Sequence, residues 1–496
     1  MEALNGMPKT ASTYLFTEIR AGRDVLKWQS LYQSMRLAVL DGRLPAGTRL
    51  PATRELARDL GVARGTVAQA YDLLSAEGFL RSEVGRGTYV AADLEPIRQK
   101  QRHKTDAPRA VRLSRRGNKL ASSPYPLAAA KSKAVPFQPF LPALSEFPIA
   151  IWQRLAISSA RQVTIGEMQD GDALGYRPLR QALTEYLRLA RGLHCEADNV
   201  FIFSSTMQAL DVCLRLVTDD GDTVACEDPC YRGASALFRA NRVKLLPIPV
   251  DKQGMDVSIL SATTAQVRLT YVTPAHQAPL GSVLSASRRL RLIEWAIKSG
   301  SIIFEDDYDG EYRYGGHPIP ALQAHDSHEV VFHCGSFSKT LFPALRLAYL
   351  VVPNRYVATM AAARSVTSRY VGISDQLALT KFISKGHFPR HLGRMRKLYA
   401  ERRNALTYLF NKLVGQAVEL SSVEAGLQVA CQFKLATPEK DILAKLRATK
   451  LIAHGVEDYQ LKNRLPPTCV LGFAAFTPME LKIAAERFAR VIEGLT

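Results

Sequence analysis

Apolar residues recur at helical spacing in three short stretches near the start of the chain. LYQSMRLAVLDGRL places Leu31, Met35, Ala38 and Val39 on one face, with Gly42 as a helix end. RELARDLG turns Leu56, Ala57 and Leu60 inward and stops at Gly61, and ARGTVAQAYDLLSAEG does the same with Val67, Ala70, Tyr71 and Leu74 before Gly78. Two short helices joined through Gly-Val predict a helix-turn-helix. FLRSEVGRGTYVA follows with two β-prone arms around Gly85-Arg86-Gly87, the pattern of a hairpin wing. From about residue 135 the pattern changes. VFIFSS, TVACED, VRLTYVTP, SIIFEDDY and VVFHCGSFS are short apolar runs with polar tails, separated by helical stretches such as LRQALTEYLRLARG and SASRRLRLIEWAIKSG. That alternation predicts an α/β sheet covered by helices, with functional groups gathered at the carboxyl ends of the strands.

Composition narrows the class. A length of 496 residues fits roughly three compact units, and 47% hydrophobic with 22% charged residues excludes a disordered chain. The longest apolar runs are too short to span a membrane. The opening MEALNGMPKT lacks a signal-peptide core, and the seven Cys show no repeated CxxC spacing. A cytoplasmic protein with reduced thiols, no membrane association and no metal site is expected.

The formal charge is +19, and its location matters more than its size. Residues 97–133 carry eleven Lys and Arg against one acid, Asp106, so over half of the excess sits in one segment. That segment contains Pro and Ser, lacks a sustained helical or strand pattern, and reads as a flexible basic linker. Two roles stay open for it: a solvated spacer, or an additional contact to DNA phosphates.

Arg64, Gly65 and Thr66 open the second helix of the helix-turn-helix, the end that such motifs present to base edges. Arg can chelate guanine, and Gly admits close backbone approach. Arg54 at the preceding helix start and Arg86 at the wing tip are placed for phosphate or groove contacts. LPAGTRLPATRELARDLGVARGTVAQAYDLLSAEGFL…GRGTYV resembles the DNA-binding domain of GntR-type bacterial regulators. The resemblance implies Arg54, Arg64, Thr66 and the wing Gly87 at DNA.

Three strand tails carry a second chemistry. EDDYDGEY sets Asp306 and Tyr308 two apart; GSFSKTLFPALRLAYLV flanks Lys339 with Ser336 and Ser338 and continues to Arg346; FSSTMQALDV places Ser204, Ser205 and Thr206 before an apolar helix. A Schiff-base lysine, an acid able to pair with a pyridinium nitrogen and a phosphate cradle are what pyridoxal 5′-phosphate (PLP) requires. Asp306 would keep the ring nitrogen protonated, Tyr308 could donate to the ring phenolate, and Arg346 would neutralise phosphate charge. Taken singly, each has an ordinary structural alternative: a surface Lys339, a solvated Asp306, a core Tyr231, a turn-bound His276.

TPAHQAPLG, EDDYDGEYRY and GSFSKTLFPALRLAYLVVP resemble the matching segments of fold-type I, class I aminotransferases, and the whole chain resembles the MocR-type subfamily of GntR regulators. The implied fold is multidomain: an α+β winged helix-turn-helix over 13–92, a basic linker over 93–134, and an α/β PLP-dependent transferase-like region over 135–496 whose small subdomain spans roughly 385–496. Lys339 is implied to form the internal aldimine. Asp306, Tyr308, Tyr231, Ser205, Thr206, Met207, His276, Ser336, Ser338 and Arg346 are the implied cofactor contacts. The implied function is a PLP-dependent transcriptional regulator. It would bind double-stranded operator DNA as a head-to-tail homodimer and sense PLP, or an amine or amino-acid-like effector, through an external aldimine.

Some positions depart from the family pattern. Ser-Gly-Ser-Gln-Gln-Ala-Leu reads here Ser204-Ser205-Thr206-Met207-Gln208-Ala209-Leu210, and Tyr-Gly-Asp-Pro reads Asp170-Gly171-Asp172-Ala173. Gly-Gly-Leu-His reads Ala425-Gly426-Leu427-Gln428, and CVLGFAAF lacks the Arg that holds a substrate α-carboxylate. The last departure argues against ordinary transamination. An active class I aminotransferase carrying a DNA-binding domain remains the alternative.

Overall fold

The computed structural model describes residues 27–83, 85–93, 113–121, 134–169, 171–315, 319–421 and 424–495. The chain divides into two units, 1–112 and 113–496.

In the first unit, α1 (Lys27–Leu40), α2 (Thr53–Leu60) and α3 (Arg64–Ala76) pack on a wing of two antiparallel strands, β1 (Leu80–Glu83) and β2 (Gly87–Val90). Leu31, Met35, Val67, Ala70 and Leu74 are buried at the centre, with Leu56 and Leu60 half-buried beside them. Gly61 closes α2 in the left-handed region, φ +63°, where a side chain would be strained. Arg49 pairs with Tyr89, so the turn before α2 adds a third backbone to the wing. Residues 13–26 of the expected domain lie outside the described residues.

Within the basic segment, residues 94–112 and 122–133 lie outside the described residues. Between them Arg115–Ala121 forms a seven-residue helix, shorter than the sequence pattern could signal. It belongs to the second unit, against the helix Arg232–Ala240, and Arg116 reaches Asp220 at 3.5 Å. This part of the segment is therefore seated on protein.

The second unit is built on an eight-stranded sheet. Its strands are β3 (Val200–Phe203), β4 (Thr223–Asp228), β5 (Lys244–Asp251), β6 (Gly254–Met255), β7 (Val267–Val272), β8 (Ile302–Asp307), β9 (Val331–Ser336) and β10 (Ala348–Val351). The order is β3-β10-β9-β8-β7-β4-β5-β6. β5, β4, β7, β8 and β9 run parallel, while β10 is antiparallel to both neighbours. Both faces are covered, as apolar runs without alternation require: Phe304 packs on the side of Tyr271 and Phe238, and Ile303 on the side of Leu292 and Val331. The tails of β4, β7, β8 and β9 consequently emerge at one edge of the sheet.

The C-terminal part adds β11 (Val418–Leu420), β12 (Gln428–Phe433), β13 (His454–Gly455) and β14 (Thr468–Gly472) in the antiparallel order β11-β12-β14-β13. The 28-residue helix His387–Val414 and the helix Pro478–Glu493 pack with that sheet. Phe137 is wedged there, 5.8 Å from Phe410 and 6.1 Å from Phe488, so the chain just after the basic segment docks on this subdomain. All seven cysteines are buried and free. Among the described residues no helix is long and apolar enough to cross a membrane, and no cluster could hold a metal ion.

Leu74 is fully buried between three elements of the first unit. Leu74→Ala is expected to destabilise that unit by about 2–4 kcal/mol. Calorimetry of the full chain should show its transition moved down while that of the second unit stays in place.

Candidate functional site

Lys339 lies in the short helix Phe337–Thr340 directly after β9, so the sheet delivers its side chain to the edge where the strand tails meet. Its Nζ donates to the Phe140 carbonyl at 2.6 Å and stands 5.7 Å from the centre of the Phe140 ring. Burial pushes the amine down to about 8, although Asp309 and Asp306 pull the other way. A lysine held this way is partly neutral near physiological pH and can act as a nucleophile.

Asp306, near the end of β8, is 6% exposed. Its Oδ2 accepts the Tyr271 hydroxyl at 2.7 Å, and its Oδ1 is buried without a partner. Burial raises this carboxyl to about 6, with the Tyr271 hydrogen bond opposing the shift. An unmatched buried acceptor costs free energy unless a donor completes it, and a protonated ring nitrogen is such a donor.

Tyr308 follows at the tail of β8. Its hydroxyl lies 3.0 Å from His276 Nδ1 and receives Gln428 Nε2 at 3.3 Å. His276 is buried, with Nδ1 also 3.0 Å from Asp309 Oδ2. A carboxylate at that distance keeps the proton on Nδ1. With that proton turned to Asp309, the Tyr308 hydroxyl accepts from Gln428 Nε2 and keeps its own proton for a third group. Burial raises its pKa well above the ordinary value, so that proton is retained. Gly426, at φ +84°, sits so close that any Cβ would overlap the His276 ring, which leaves only glycine in that turn.

The helix Thr206–Val217 begins where β3 ends. Ser205 caps it by accepting the Gln208 amide at 3.1 Å, and Gln208 Oε1 accepts the Ser204 hydroxyl at 2.8 Å. The Ser204 hydroxyl proton is thus committed to the turn, while Ser205 only accepts there and keeps its own proton. The amides of Thr206 and Met207 have no protein acceptor among the described residues and carry the anion-binding capacity of the helix end. A Cβ on Gly233 would stand 2.6 Å from the Tyr231 ring and 3.1 Å from the Met207 sulfur, so both side chains close over that glycine beside the loop. Ser336 caps the Lys339 helix by accepting the Ser338 amide at 3.1 Å. Arg346 is exposed in a left-handed turn, φ +51°, and has no protein partner among the described residues.

A latch joins this edge to the C-terminal subdomain. Asp228 accepts the amides of Leu461, Lys462 and Asn463 at 2.7 to 2.9 Å. The Cys230 amide donates to Tyr459, and Arg232 pairs with Asp458 at 3.0 Å. Tyr231 lies inside this clasp. Arg464, near in sequence, is 78% exposed beside Glu457 and takes no part. Asp170 lies outside the described residues; Gly171 of the same motif packs against the Tyr370 ring.

In the first unit Arg54, Arg64, Gly65, Arg86 and Gly87 are exposed and Thr66 is half-buried. Arg64 Nε lies 3.5 Å from Thr53 Oγ1, which ties the start of α3 to the start of α2. Nothing lies within 4 Å of a Cβ added to Gly65, so the backbone there is open to close approach. Arg49 crosses Gly87, where an added Cβ would stand 3.1 Å from its Nε, and joins Arg86 on the wing.

Residues 155–488 match the family described as aminotransferase class I and II, and residues 27–90 match the gntR family of bacterial regulatory proteins. The chain is 36% identical over 468 residues to the probable rhizopine catabolism regulatory protein MocR of Rhizobium meliloti, covering 92% of each. The chain belongs to the MocR-type GntR regulators. It is also 28% identical over 374 residues to the pyridoxine biosynthesis transcriptional regulator PdxR of Corynebacterium glutamicum, covering 75% of this chain and 76% of that one. Among solved structures, a kynurenine aminotransferase of Pyrococcus horikoshii is similar with a TM-score of 0.68 at 24% identity, covering 74% of this chain and 95% of that one. LysN of Thermus thermophilus, complexed with N-(5′-phosphopyridoxyl)-L-leucine, gives 0.67 at 24%, covering 73% and 92%. These likenesses establish the transferase fold of the second unit. A MocR-type chain with a GntR domain is a DNA-binding transcriptional regulator.

Sequence reasoning did not single out Asp309, Phe140, Tyr271 or Glu227, and it marked Gln428 only as a departure from the family's His. Asp309 sits within EDDYDGEY, but nothing in the spacing pairs it with His276. The others come from distant segments, and only folding brings them together.

From the lowered Lys339 pKa, the rate at which the apo-protein takes up PLP covalently is expected to rise with pH up to about 8 and flatten above it. Stopped-flow absorbance checks this. A rate still climbing at pH 10 would indicate an ordinary solvated lysine.

Proposed function

We propose that the second unit holds PLP on Lys339 and uses it to sense an amine, or PLP itself, on behalf of the DNA-binding unit. The observation that carries this reading is the meeting, at one sheet edge, of a desolvated Lys339 amine and a buried Asp306 oxygen without a partner. Bound PLP supplies an aldehyde carbon that a primary amine can take over from Lys339. Asp306 Oδ1 would face the ring nitrogen, the Tyr308 hydroxyl would donate to the ring oxygen, and Tyr231 would lie near the ring. The Thr206 and Met207 amides, with Ser338 and Arg346, would bind the phosphate.

Regulation follows if the effector binds two arrangements of the protein with different affinity. Release of the Lys339 amine is the local event that distinguishes them, and the latch on both sides of Tyr231 lies next to it. A homodimer, head-to-tail as in the aminotransferase-like fold, would present two winged helix-turn-helix heads and so read repeated or inverted half-sites. Expected DNA contacts are Arg54, Arg64, Gly65 and Thr66, with Arg86 and Gly87 in the wing. Sustained turnover with an amine donor and a keto-acid acceptor would favour the aminotransferase alternative.

Purified protein given PLP is expected to show a visible chromophore that borohydride fixes, and Lys339→Ala should lack it. A colourless wild-type protein would overturn the reading. Arg64→Ala is expected to weaken operator binding about tenfold or more. Its effect on a scrambled duplex should be smaller, as fluorescence anisotropy at fixed salt would report.

A further inference from the structure

Glu227 lies in β4 beside the latch residue Asp228. It is 2% exposed, and no Lys, Arg or His among the described residues pairs with it. Its Oε2 accepts the Thr273 hydroxyl at 2.5 Å, the Thr273 amide at 3.2 Å and Gln277 Nε2 at 3.5 Å. From those two residues a closed net spreads through the turn after β7. Thr273 Oγ1 accepts the Ala278 amide at 3.1 Å, and Gln277 donates to the carbonyls of Pro229 and Ala278 and accepts the Leu280 amide. His276 lies between Thr273 and Gln277, so the carboxyl of Glu227 is one of the points at which its turn is tied to the sheet, beside the Gln277–Pro229 bond.

The sheet adds a second relation. β7 runs between β4 and β8, and Thr273 continues the chain one residue past its end. Tyr271 holds Asp306 on one side, and Thr273, two residues on, holds Glu227 on the other. A buried carboxyl served by neutral donors alone is expensive. Holding a turn needs only an acceptor; a second acid within electrostatic reach of Asp306 does something an amide cannot.

We propose that Glu227 is a positioning residue of the PLP site: it fixes the turn that presents His276 to Tyr308, and it adds a second carboxyl to the field that Asp306 turns on the cofactor's ring nitrogen. This rests on the PLP reading above. Burial raises Glu227 to about 7 against the Thr273 and Gln277 hydrogen bonds, and Asp306 pushes it further up. The groups around it are Asp306 from β8 and Tyr308 just past it, Thr273 just past β7, Gln277 from the turn and Cys230 beyond β4, while its neighbour on β5 is the apolar Ile248. Glu227 therefore carries its charge above about pH 7. A charged Glu227 favours any protonated group of the cofactor, and a neutral residue there does not.

The test uses the full chain with Glu227→Gln and Glu227→Asp. In the apo-protein, infrared spectroscopy is expected to show a protonated-carboxyl band lost near pH 7 and absent from Glu227→Gln. In the PLP-loaded protein, Glu227→Gln is expected to lower the pH midpoint of the visible chromophore by about half a unit or more. Glu227→Asp, which keeps the charge, should restore most of that shift; a merely structural role would make the two variants act alike. A wild-type chain that takes up no PLP sinks the PLP reading. A wild-type chain that does, with band and midpoint unchanged in Glu227→Gln, sinks this proposal.

Discussion

The site depends on keeping several acids and one amine away from water at the end of a single sheet. Lys339, Asp306, Asp309 and Glu227 all stand where β4, β8 and β9 end, and burial works against the charged form of each. The strands cannot move apart without breaking the ladder, so the charges cannot relax away from one another. Their chemistry is set by which hydrogen bonds the neighbouring strand supplies. β7 and the residue that follows it serve two of the four: Tyr271 bonds Asp306 and Thr273 bonds Glu227. An isolated Lys339 would be an ordinary surface cation, and burial at the sheet edge lowers its pKa to about 8.

The second constraint is mechanical. Asp228, in the same strand as Glu227, binds three successive amides of the C-terminal subdomain, and Arg232 grips Asp458 four residues further on. Tyr231 lies between those two attachments. A change felt at the ring of Tyr231 is thus felt at the joint between the sheet and the smaller subdomain. Charge-assisted bonds to main-chain amides are directional as well as strong, so they hold this joint in a defined geometry.

Much of this was legible in the chain. Helical spacing located the three N-terminal helices, and Leu31, Met35, Val67, Ala70 and Leu74 are buried as expected. The five apolar runs are strands, and Lys339, Asp306 and Tyr308 were marked by residue type and position at strand ends. The reading was less accurate where side chains satisfy one another. Ser204 gives its hydroxyl proton to Gln208, although its place before the helix suggested a group facing an anion. Part of the basic segment is a helix seated on the second unit, because seven residues are too few to display a period.

Sequence alone determined the element types and the two families and marked Lys339 and Asp306 as candidates, because periodicity and local motifs are properties of neighbouring residues. Tertiary structure decided the rest. It placed β10 antiparallel in the sheet, paired Asp309 with His276, brought Gln428 to Tyr308, and left one oxygen of Asp306 without a partner. Desolvation and long-range pairing depend on what folding places beside a group. No window of the chain contains that information.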